Sequence, residues 1–488
     1  MTGGISFGPF GPDPEPTDEP LHPELDDERS ELIPDSPPLD LRTVEAILDK
    51  RWPETRIDPT LARIQALLDL LGNPQNAYPV IQIAGTNGKT SVARMIDSLL
   101  TSLGLRTGRF TSPHLQLVTE RISLDGSPID PDRYVGTFAD VAPYVDMVDA
   151  GSRRDGGALL SKFEILTAMA FAAFADAPVD IAVVEVGLGG TWDSTNVADA
   201  TVAVITPIGM DHQDYLGDSI DAVAGNKAGI IKRGATVMIG PQEPAAMDVL
   251  LRRAVEMDAT VARYGSEFSL QQRDMAVGGQ RLVLRGLGAV YPDVFLPLAG
   301  EHQAANAALA LAAVEAFLGA GSSRELDGDS VLDGFAAASS PGRLERVRTS
   351  PTILVDAAHN PHGATALAAA LQSDFHFSRL IGVLAVMRDK DAAGILEALV
   401  GVFDEVVITV NSSQRSMPAD ELADIAREVF GDQRVQLADR MDEAIVLAVD
   451  LAEAGGDSDA GPYGSGVVVT GSVVSAGDGR SLAGLTPS

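Results

Sequence analysis

The stretch Ile83-Ala84-Gly85-Thr86-Asn87-Gly88-Lys89-Thr90-Ser91 follows an apolar run and precedes an amphipathic one. This order predicts a strand, a glycine-rich turn and a helix. The two glycines allow positive φ angles and bring backbone N–H groups close to an anion at the positive end of the helix. Lys89 is placed to reach the outer phosphates of a nucleotide, and Thr90 or Ser91 can offer a hydroxyl to a phosphate or its magnesium. The spacing G-x-x-G-K-T-S is shorter than the usual phosphate-loop pattern. The alternative to a phosphate-binding loop is an ordinary glycine turn, but such a turn needs neither the lysine nor the hydroxyls.

Apolar runs with little polar alternation recur at 80–84, 180–187 and 201–206. Near-continuous Val and Ile suit strands that helices cover on both faces of a sheet. We therefore predict an α/β protein with an N-terminal phosphate-loop-type ATPase domain, whose sheet is mostly parallel, and a C-terminal Rossmann-like, doubly wound domain. The strands predicted for the second domain are Thr352–Val355, Ile381–Val386, Val406–Val410 and Val467–Thr470.

Composition divides the chain into three predicted regions. Residues 1–38 hold nine prolines and ten acidic residues against one arginine. Such a segment cannot bury enough apolar surface to offset its chain entropy, so we predict a disordered acidic tail. The first domain is predicted over 39–298, with a small β-rich subregion at 235–296, and the second over 299–488.

Charge and the lack of cysteine exclude several classes of function. The 488 residues carry a formal net charge of −33, which argues against binding nucleic acid or an anionic membrane, because both need clustered Lys and Arg. Without cysteine there is no disulfide, thiolate nucleophile or sulfur-ligated metal. No stretch approaches the roughly 20 apolar residues of a membrane span, and the N-terminus lacks a basic region followed by an apolar one. We expect a cytoplasmic monomer.

Acidic and histidine side chains follow two of the predicted strands. Glu185 ends a strand that runs into Gly187–Gly190, and Asp211-His212 follows the next strand. The carboxyl ends of strands are where α/β proteins bind ligands, so Glu185 and His212 could converge on one ion. Magnesium suits the oxygen ligands, and the histidine would also admit manganese. A loop-capping acid and a structural histidine are the alternatives at these positions.

Three more residues of the first half are candidates. Ser112, in Thr111-Ser-Pro-His-Leu115, can supply another oxygen near the ion, and Arg121 can hold an anionic substrate group. Taken alone, this stretch is more simply interpreted as a turn. Lys227 lies on an apolar, Gly-flanked segment, where a lysine usually extends its ammonium to solvent.

The second half adds groups that could face a nucleotide. Arg343 offers a fixed fork for γ-phosphate oxygens, and Asp356 and His359 end a strand where a ligand would lie. Helix capping is a strong alternative for Asp356 and for the segment 301–306 that contains Asn306. Together with the phosphate loop, these residues predict a nucleotide held between two domains.

Seven ordered motifs make the chain similar to a known family. They are Gly85-Thr-Asn-Gly-Lys89, Thr111-Ser-Pro-His-Leu115, Glu185-Val-Gly-Leu-Gly-Gly190, Asp211-His212 followed by Leu216-Gly217, His302-Gln-x-x-Asn306, Pro341-Gly-Arg343 and Asp356-x-Ala-His-Asn-Pro361. In this order and spacing, over about residues 45–475, the chain resembles folylpolyglutamate synthase and dihydrofolate synthase of the Mur ligase superfamily.

The resemblance implies an ATP-dependent ligase that adds L-glutamate to dihydropteroate, forming dihydrofolate, and to reduced folates, forming folylpolyglutamates. ATP would phosphorylate the acceptor carboxylate, the amine of glutamate would attack the acyl phosphate, and phosphate would leave. Magnesium, with Lys89 and Arg343, would neutralise charge on the transferred group. The implied cofactors are ATP and two Mg²⁺ ions, with a role for K⁺ left open, and the implied partners are small molecules only.

The resemblance also implies a role for each motif residue. The residues that would contact ATP are Gly85, Thr86, Asn87, Gly88, Lys89, Thr90, Ser91, Asn306, Arg343 and Asp356. Those that would bind magnesium are Ser112, Glu185, His212 and a carbamylated Lys227. Those that would hold the substrate are His114, Arg121, Ser161, Lys162, Phe163, Glu164, Trp192, Asp193 and Ser194. The catalytic residues would be Lys89, Lys227 and, on the side of glutamate and phosphate, His359.

The chain departs from the family pattern at three places. The family usually has Gly at the position of Thr90 and commonly Phe at that of Lys162. It usually has Arg-Leu-Asp-Ala where this chain has Thr191-Trp-Asp-Ser194. These departures concern the pterin site more than the chemistry.

Two other functions share parts of this pattern. A Mur ligase acting on a UDP-linked muropeptide would have the phosphate loop and the two-domain cleft, but it leaves Ser112-Pro113-His114 and Asp356–Pro361 unexplained. A nucleotide-dependent switch without ligase activity needs no Arg343 or Asp356 directed back at the nucleotide.

Overall fold

The computed structural model describes residues 39–52, 58–319, 325–454 and 464–488. The predicted acidic tail, 1–38, lies outside the described residues. Within these ranges, no helix has both the length and the apolar character needed to span a bilayer.

Helices and strands alternate along most of the chain. The α-helices are α1 Leu41–Asp49, α2 Ala62–Leu70, α3 Lys89–Ser102, α4 Pro131–Arg154, α5 Lys162–Asp176, α6 Gln213–Leu216, α7 Ile220–Lys227, α8 Pro244–Glu256, α9 Glu301–Phe317, α10 Gly328–Ala336, α11 Pro361–Asp374, α12 Ala392–Leu399, α13 Ala419–Phe430, α14 Met441–Ala454 and α15 Val473–Leu482. The strands are β1 Val80–Ala84, β2 Thr107–Phe110, β3 Ile122–Leu124, β4 Ser127–Pro128, β5 Ile181–Glu185, β6 Val202–Ile205, β7 Thr236–Ile239, β8 Thr260–Arg263, β9 Ser269–Ala276, β10 Gly279–Arg285, β11 Val290–Leu296, β12 Glu345–Thr349, β13 Thr352–Val355, β14 Arg379–Leu384, β15 Glu405–Ile408, β16 Val435–Leu437 and β17 Ser465–Thr470.

The first sheet has eight strands in the order β4-β3-β2-β5-β1-β6-β7-β8. The six from β2 to β8 run parallel, and β3 and β4 form an antiparallel edge. Every residue of β1, β5 and β6 is buried. The mostly parallel, doubly covered sheet predicted from the Val and Ile runs is therefore confirmed.

Alternate residues of the central strand face different cores, as the two-residue period of a strand requires. Ile81 and Ile83 pack with residues of α3 and α9, whereas Val80 packs with residues of α1, α2, α4 and α5. A third cluster, built from α7 and α8, covers the end of the sheet near β6 and β7.

Helix α9 packs with the first sheet, although the sequence led us to expect a domain boundary just before it, at 298/299. Its residues from Ala304 to Val314 belong to the same core cluster as β1 and α3, and α10 joins them through Val331 and Phe335. The helix is alanine-rich and buried on most sides, so no amphipathic stripe indicates its partner. By packing, the N-terminal half extends from α1 to α10, and the C-terminal half from β12 to α15.

The β-rich subregion expected at 235–296 consists of two different structures. Strands β7 and β8 extend the first sheet in parallel. Only β9, β10 and β11 form a separate, three-stranded antiparallel sheet, which packs on α9 through residues such as Leu282 and Val294.

The second sheet has six strands in the order β12-β13-β17-β14-β15-β16. All pairs are parallel except the edge pair of β12 and β13. Helices α11, α12 and α13 pack on one face and α14 and α15 on the other. This doubly wound arrangement confirms the predicted fold class of the C-terminal half.

Candidate active site

A cleft of about 1490 Å³ lies where the loops after β1, β5 and β6 meet those after β13, β14 and β17. It is larger than the roughly 300–1,000 Å³ of a typical small-molecule pocket, so more than one ligand fits. All the predicted site residues line it except Lys162. The Lys162 ammonium instead donates to the Asp49 carboxylate at 2.6 Å.

The phosphate loop is held against the segment that follows β6. Thr86 Oγ1 donates to Gly209 O at 2.9 Å and accepts from Gly209 N at 3.0 Å. Gly85 lies so close to Thr206 that a Cβ there would come within 1.8 Å of Thr206 Oγ1. Gly88 has a φ of +87° and precedes the first residue of α3. The loop therefore has the positive φ and close backbone approach that its glycines predict.

The first three side chains of α3 have different partners. Lys89 Nζ folds back over the loop and donates to Thr86 O at 3.1 Å. Thr90 Oγ1 lies 2.9 Å and 3.0 Å from the two carboxylate oxygens of Glu185. Ser91 is buried, and its hydroxyl lies 2.9 Å from Ser340 Oγ. Of the two hydroxyls considered at first, Thr90 is the one beside a carboxylate.

Glu185, Thr90 and Ser112 form an oxygen-rich corner beside the phosphate loop. The Ser112 backbone N–H donates to Glu185 at 3.4 Å. Burial raises the pKa of Glu185, while the nearby Lys89 ammonium opposes that shift. A buried carboxylate next to two hydroxyl residues fits Mg²⁺, which prefers oxygen and completes its shell with phosphate oxygens and water. In the described ranges, no three of His, Cys, Asp and Glu gather as a metal-binding group.

Lys227 does not extend to solvent. It is buried at the end of α7, and its Nζ donates to Gly85 O at 2.7 Å. Burial, with the Lys89 ammonium nearby, lowers the pKa of Lys227 to about 7. A substantial fraction of this amine is therefore neutral, and nucleophilic, near neutral pH.

Asp211 joins the two halves across the cleft. Its carboxylate accepts from Lys390 Nζ at 2.7 Å and from Asn360 Nδ2 at 3.0 Å. Although burial would raise the pKa of Asp211, the adjacent His212, Lys390 and His359 hold it well below its usual range. Burial lowers the pKa of His212 and of His359 to about 4, so both imidazoles are neutral at pH 7.

His212 Nε2 lies 3.4 Å from Lys390 Nζ and 3.8 Å from Asp211 Oδ2, and His359 Nε2 lies 3.8 Å from the same oxygen. Lys390 was not among the predicted site residues. A signal was present, because Asp389-Lys390-Asp391 follows strand β14 as Asp356 follows β13.

A second cross-cleft contact involves the phosphate loop itself. Asn87 and Asn360 exchange amide hydrogen bonds of 3.2 Å each, and Asn87 Nδ2 lies 2.7 Å from His362 Nδ1. Asn360 also caps α11 by accepting from Gly363 N at 2.7 Å. The start of α11 is therefore fixed relative to the loop.

Arg343 lies in a tight turn between two residues with positive φ, Gly342 at +67° and Leu344 at +45°. Asp356 shapes this turn by accepting from Leu344 N at 2.9 Å, and it also accepts from Ala358 N at 2.9 Å. Burial raises the pKa of Asp356, and the Arg343 guanidinium opposes the shift. Both Arg343 and Asp356 line the cleft, and the helix cap of α11 is Asn360 rather than Asp356.

Asn306 faces the phosphate loop from α9. A Cβ at Gly88 would lie 3.0 Å from Asn306 Oδ1, and Asn306 Nδ2 donates to Gln303 Oε1 at 3.2 Å. The buried Asn306 therefore limits the room beside the loop.

The far end of the cleft is more aromatic. Ser161 and Glu164 form a reciprocal capping box at the start of α5, with bonds of 3.1 Å and 2.7 Å. Arg63 donates to Glu164 at 3.1 Å, and its guanidinium carbon lies 5.5 Å from the centre of the Trp52 ring. Trp52 and Arg63 line the cleft but were not predicted, since they precede the first motif.

Two other predicted substrate contacts are fixed by neighbours. His114 Nδ1 accepts from Arg121 Nε at 2.9 Å. Burial, together with Arg121, lowers the pKa of His114 to about 3, so the ring is a neutral acceptor. Asp193 accepts from Leu188 N and Thr195 N at 2.9 Å each, so it shapes the loop that presents Trp192.

Comparison with known proteins agrees with this geometry. Two family models match the chain: the Mur ligase middle domain at residues 158–314, and the Mur ligase glutamate ligase domain at residues 342–473. The dihydrofolate synthase/folylpolyglutamate synthase of Mycobacterium tuberculosis is 58% identical over 460 residues, which cover 92% of this chain and 94% of that protein. The chain belongs to the dihydrofolate synthase/folylpolyglutamate synthase family. The Escherichia coli member is 34% identical over 368 residues, covering 75% of this chain and 81% of that one.

Solved structures of the family superpose closely. Mycobacterium tuberculosis folylpolyglutamate synthase complexed with ADP has a TM-score of 0.88 at 57% identity and covers 92% of this chain and 99% of its own. E. coli FolC in complex with DHPP and ADP has a TM-score of 0.77 at 30% identity, covering 91% and 97%. The predicted family, ligase class and ATP-binding character are therefore confirmed.

Proposed function

We propose that this chain adds L-glutamate to dihydropteroate and to reduced folates in an ATP- and Mg²⁺-dependent reaction. The observation that carries the proposal is the meeting of the phosphate loop with the Arg343 and Asp356 turn in one cleft, in a chain that belongs to this family. Two related solved structures, the Mycobacterium tuberculosis protein complexed with ADP and E. coli FolC in complex with DHPP and ADP, support a site for a nucleotide and a second small molecule.

The proposed reaction has three steps. The acceptor carboxylate attacks the γ-phosphorus of ATP, forming an acyl phosphate and ADP. The neutral amine of L-glutamate then attacks the acyl carbon, and the tetrahedral intermediate expels phosphate as the amide forms and the amine loses a proton. A carboxylate is a poor electrophile until its oxygen is phosphorylated, so the first step makes the second possible.

Lys89 and Arg343 are proposed to bind the outer phosphates from opposite sides of the cleft. Charged donors placed in advance stabilise the charge that develops on the transferred group. Magnesium, when bound, would neutralise phosphate charge, and Ser112, Glu185 and His212 are the residues that we expect to hold it, with the Thr90 hydroxyl bonded to Glu185. The second ion would use the carbamate of Lys227.

The acceptor and the glutamate are proposed to occupy opposite ends of the cleft. Trp192, Phe163 and Ser161 line the end that we assign to the pterin ring, and this end also holds the neutral His114. His359 Nδ1 lies 2.9 Å from Ala357 O, so a proton on Nδ1 leaves Nε2 free to accept a hydrogen bond from the attacking amine. Holding the reactants together in a closed cleft supplies proximity and excludes water.

An acceptor assay tests the proposal. Purified full-length protein with ATP, Mg²⁺ and L-glutamate is offered dihydropteroate, tetrahydrofolate or a UDP-linked muropeptide, and phosphate release and the amide product are followed. We expect release with the first two acceptors only. Release with the muropeptide alone would assign the chain to the other branch of the superfamily, and release with none would favour a nucleotide-binding switch.

A further inference from the structure

Arg480, on α15, is a buried arginine whose nitrogens all donate. Only 4% of its side chain is exposed. Nε donates to Gln116 Oε1 at 3.0 Å, one terminal nitrogen pairs with Glu345, and the other donates to Thr486 O at 2.7 Å. None of the motifs includes this residue, and it lies outside the cleft.

The contact of Arg480 with Glu345 connects it to the turn that carries Arg343. Glu345 also accepts from Gly342 N at 2.7 Å, so its carboxylate links the Arg480 guanidinium to the backbone just before Arg343. Gly342 and Leu344 both have positive φ, which costs of order 1 kcal/mol or more at the non-glycine position. A turn in this conformation persists only if neighbouring groups hold it, and Glu345 is one of the two carboxylates that do so.

The contact of Arg480 with Gln116 connects it to the N-terminal half, on the other side of the cleft. Gln116 belongs to the segment of the N-terminal half that carries Ser112 and His114. Helix α15 packs directly on this segment, since a Cβ at Gly477 would lie 2.1 Å from Leu115 O. Leu115 also touches the Arg343 turn, because a Cβ at Gly342 would lie 3.0 Å from Leu115 Cδ2.

We propose that Arg480 is a positioning residue that sets the distance between the Arg343 turn and the Ser112 segment, and so places Arg343 against the γ-phosphate. Its planar guanidinium makes three bonds in fixed directions, to Glu345 in the C-terminal half, to Gln116 in the N-terminal half, and to the backbone at Thr486. A lysine can keep the charge but cannot make these three bonds in the same geometry. The inference rests on the proposed contact of Arg343 with nucleotide phosphate.

The test measures discrimination for the γ-phosphate in the full-length protein. Dissociation constants are measured for ADP and for the ATP analogue with a methylene group between the β- and γ-phosphorus. We expect Arg480→Lys to reduce the preference for the analogue by about tenfold, the size of one misplaced charge-assisted hydrogen bond. kcat should fall while KM for L-glutamate stays unchanged, and Glu345→Gln, which removes the counter-ion of Arg480, should reduce the preference for the analogue in the same direction.

Arg379→Lys is the matched control. Arg379 is a partly buried arginine of β14 that also binds one carboxylate, Glu405, and one backbone carbonyl, Leu451 O, but it does not line the cleft. If both arginine variants change γ-phosphate discrimination equally, Arg480 contributes only stability and the inference is wrong.

Combining Arg480→Lys with Arg343→Ala tests whether Arg480 acts through Arg343. Two residues that act through one another give non-additive effects, so Arg480→Lys should change nothing further in an Arg343→Ala background. An undiminished effect in that background would overturn the proposed route through Arg343. Wild-type discrimination in Arg343→Ala alone would instead refute the proposed nucleotide contact of Arg343, which is a separate result.

Discussion

Lys227 is the residue whose environment contributes most to the proposed chemistry. Its amine is buried, bonded to the phosphate-loop backbone, and has its pKa lowered to about 7. A neutral amine can attack CO₂ to form a carbamate with release of one proton, which turns a cation into an anionic metal ligand. We expect Lys227→Ala to lower kcat by roughly a hundredfold or more, since a metal ion supplies several kcal/mol of charge stabilisation. Added bicarbonate should not restore the rate.

The pH dependence of this modification has a defined direction. Below about pH 7 the ammonium form predominates and cannot attack CO₂, so incorporation of ¹³CO₂, followed by ¹³C NMR, should fall as pH is lowered from 8 to 6. Lys232→Ala is the control, because Lys232 also donates to a single backbone carbonyl, Asn196 O, yet does not line the cleft. An unchanged rate in Lys227→Ala would mean that no carbamate is needed.

At the level of an element, helix α3 has a glycine with positive φ at each end, and only one of them is crowded. Gly88 has a φ of +87° and lies against Asn306, whereas Gly104 has a φ of +85° and no atom within 4 Å of its would-be Cβ. Either alanine substitution should cost about 1–2 kcal/mol of stability through backbone strain. Only Gly88→Ala should also weaken ADP binding, by about tenfold or more, because the loop must shift away from the nucleotide.

Isothermal titration calorimetry with ADP measures the loss of affinity in each variant, and urea unfolding measures the loss of stability. Equal losses of ADP affinity in Gly88→Ala and Gly104→Ala would show that the strain in α3, rather than the shape of the loop, controls binding.

The strand, loop and start of α3 could be predicted because their signals are local. The apolar run, the two glycines and Lys89 are contiguous in sequence, and each has one physical interpretation. The partner of α9 could not be predicted, since an alanine-rich helix that is buried on most sides carries no stripe to indicate which sheet it covers. Its packing on the first sheet is decided by contacts with α3 that are more than 200 residues distant in sequence.

In the candidate site, too, the local features could be predicted and the contacts between distant residues could not. Each motif predicted a residue at the end of a strand, but the sequence did not show which residues of different motifs contact one another. Thr90 on Glu185 and Lys390 on Asp211 are pairs separated by 95 and 179 residues. Asp356 was correctly placed at a strand end, while its part in shaping the Arg343 turn depends on a register between β12 and β13 that no local pattern specifies.

At the scale of the whole molecule, several polar contacts join the two halves, and the ion pair of Asp211 with Lys390 is one of the more buried of them. The side chains are 11% and 10% exposed, so solvent screens the pair only weakly. The same carboxylate accepts from Asn360, whose amide is bonded to Asn87 in the phosphate loop. Asp211 therefore links Lys390, on the far side of the cleft, to the phosphate loop.

Replacing Asp211 with Asn should uncouple them. The Lys390 ammonium would be left buried without its counter-ion, and removing one partner of such a pair costs several kcal/mol. We expect kcat to fall by about tenfold or more, because the reactants are no longer held in a closed cleft, while ADP affinity stays within about twofold, since the phosphate loop keeps its own contacts. Glu405→Gln is the control: its partner Arg379 lies in the same sheet, so it removes an ion pair within one half. Equal losses of kcat in the two variants, at equal stability in urea, would show that closure does not depend on the contact across the cleft.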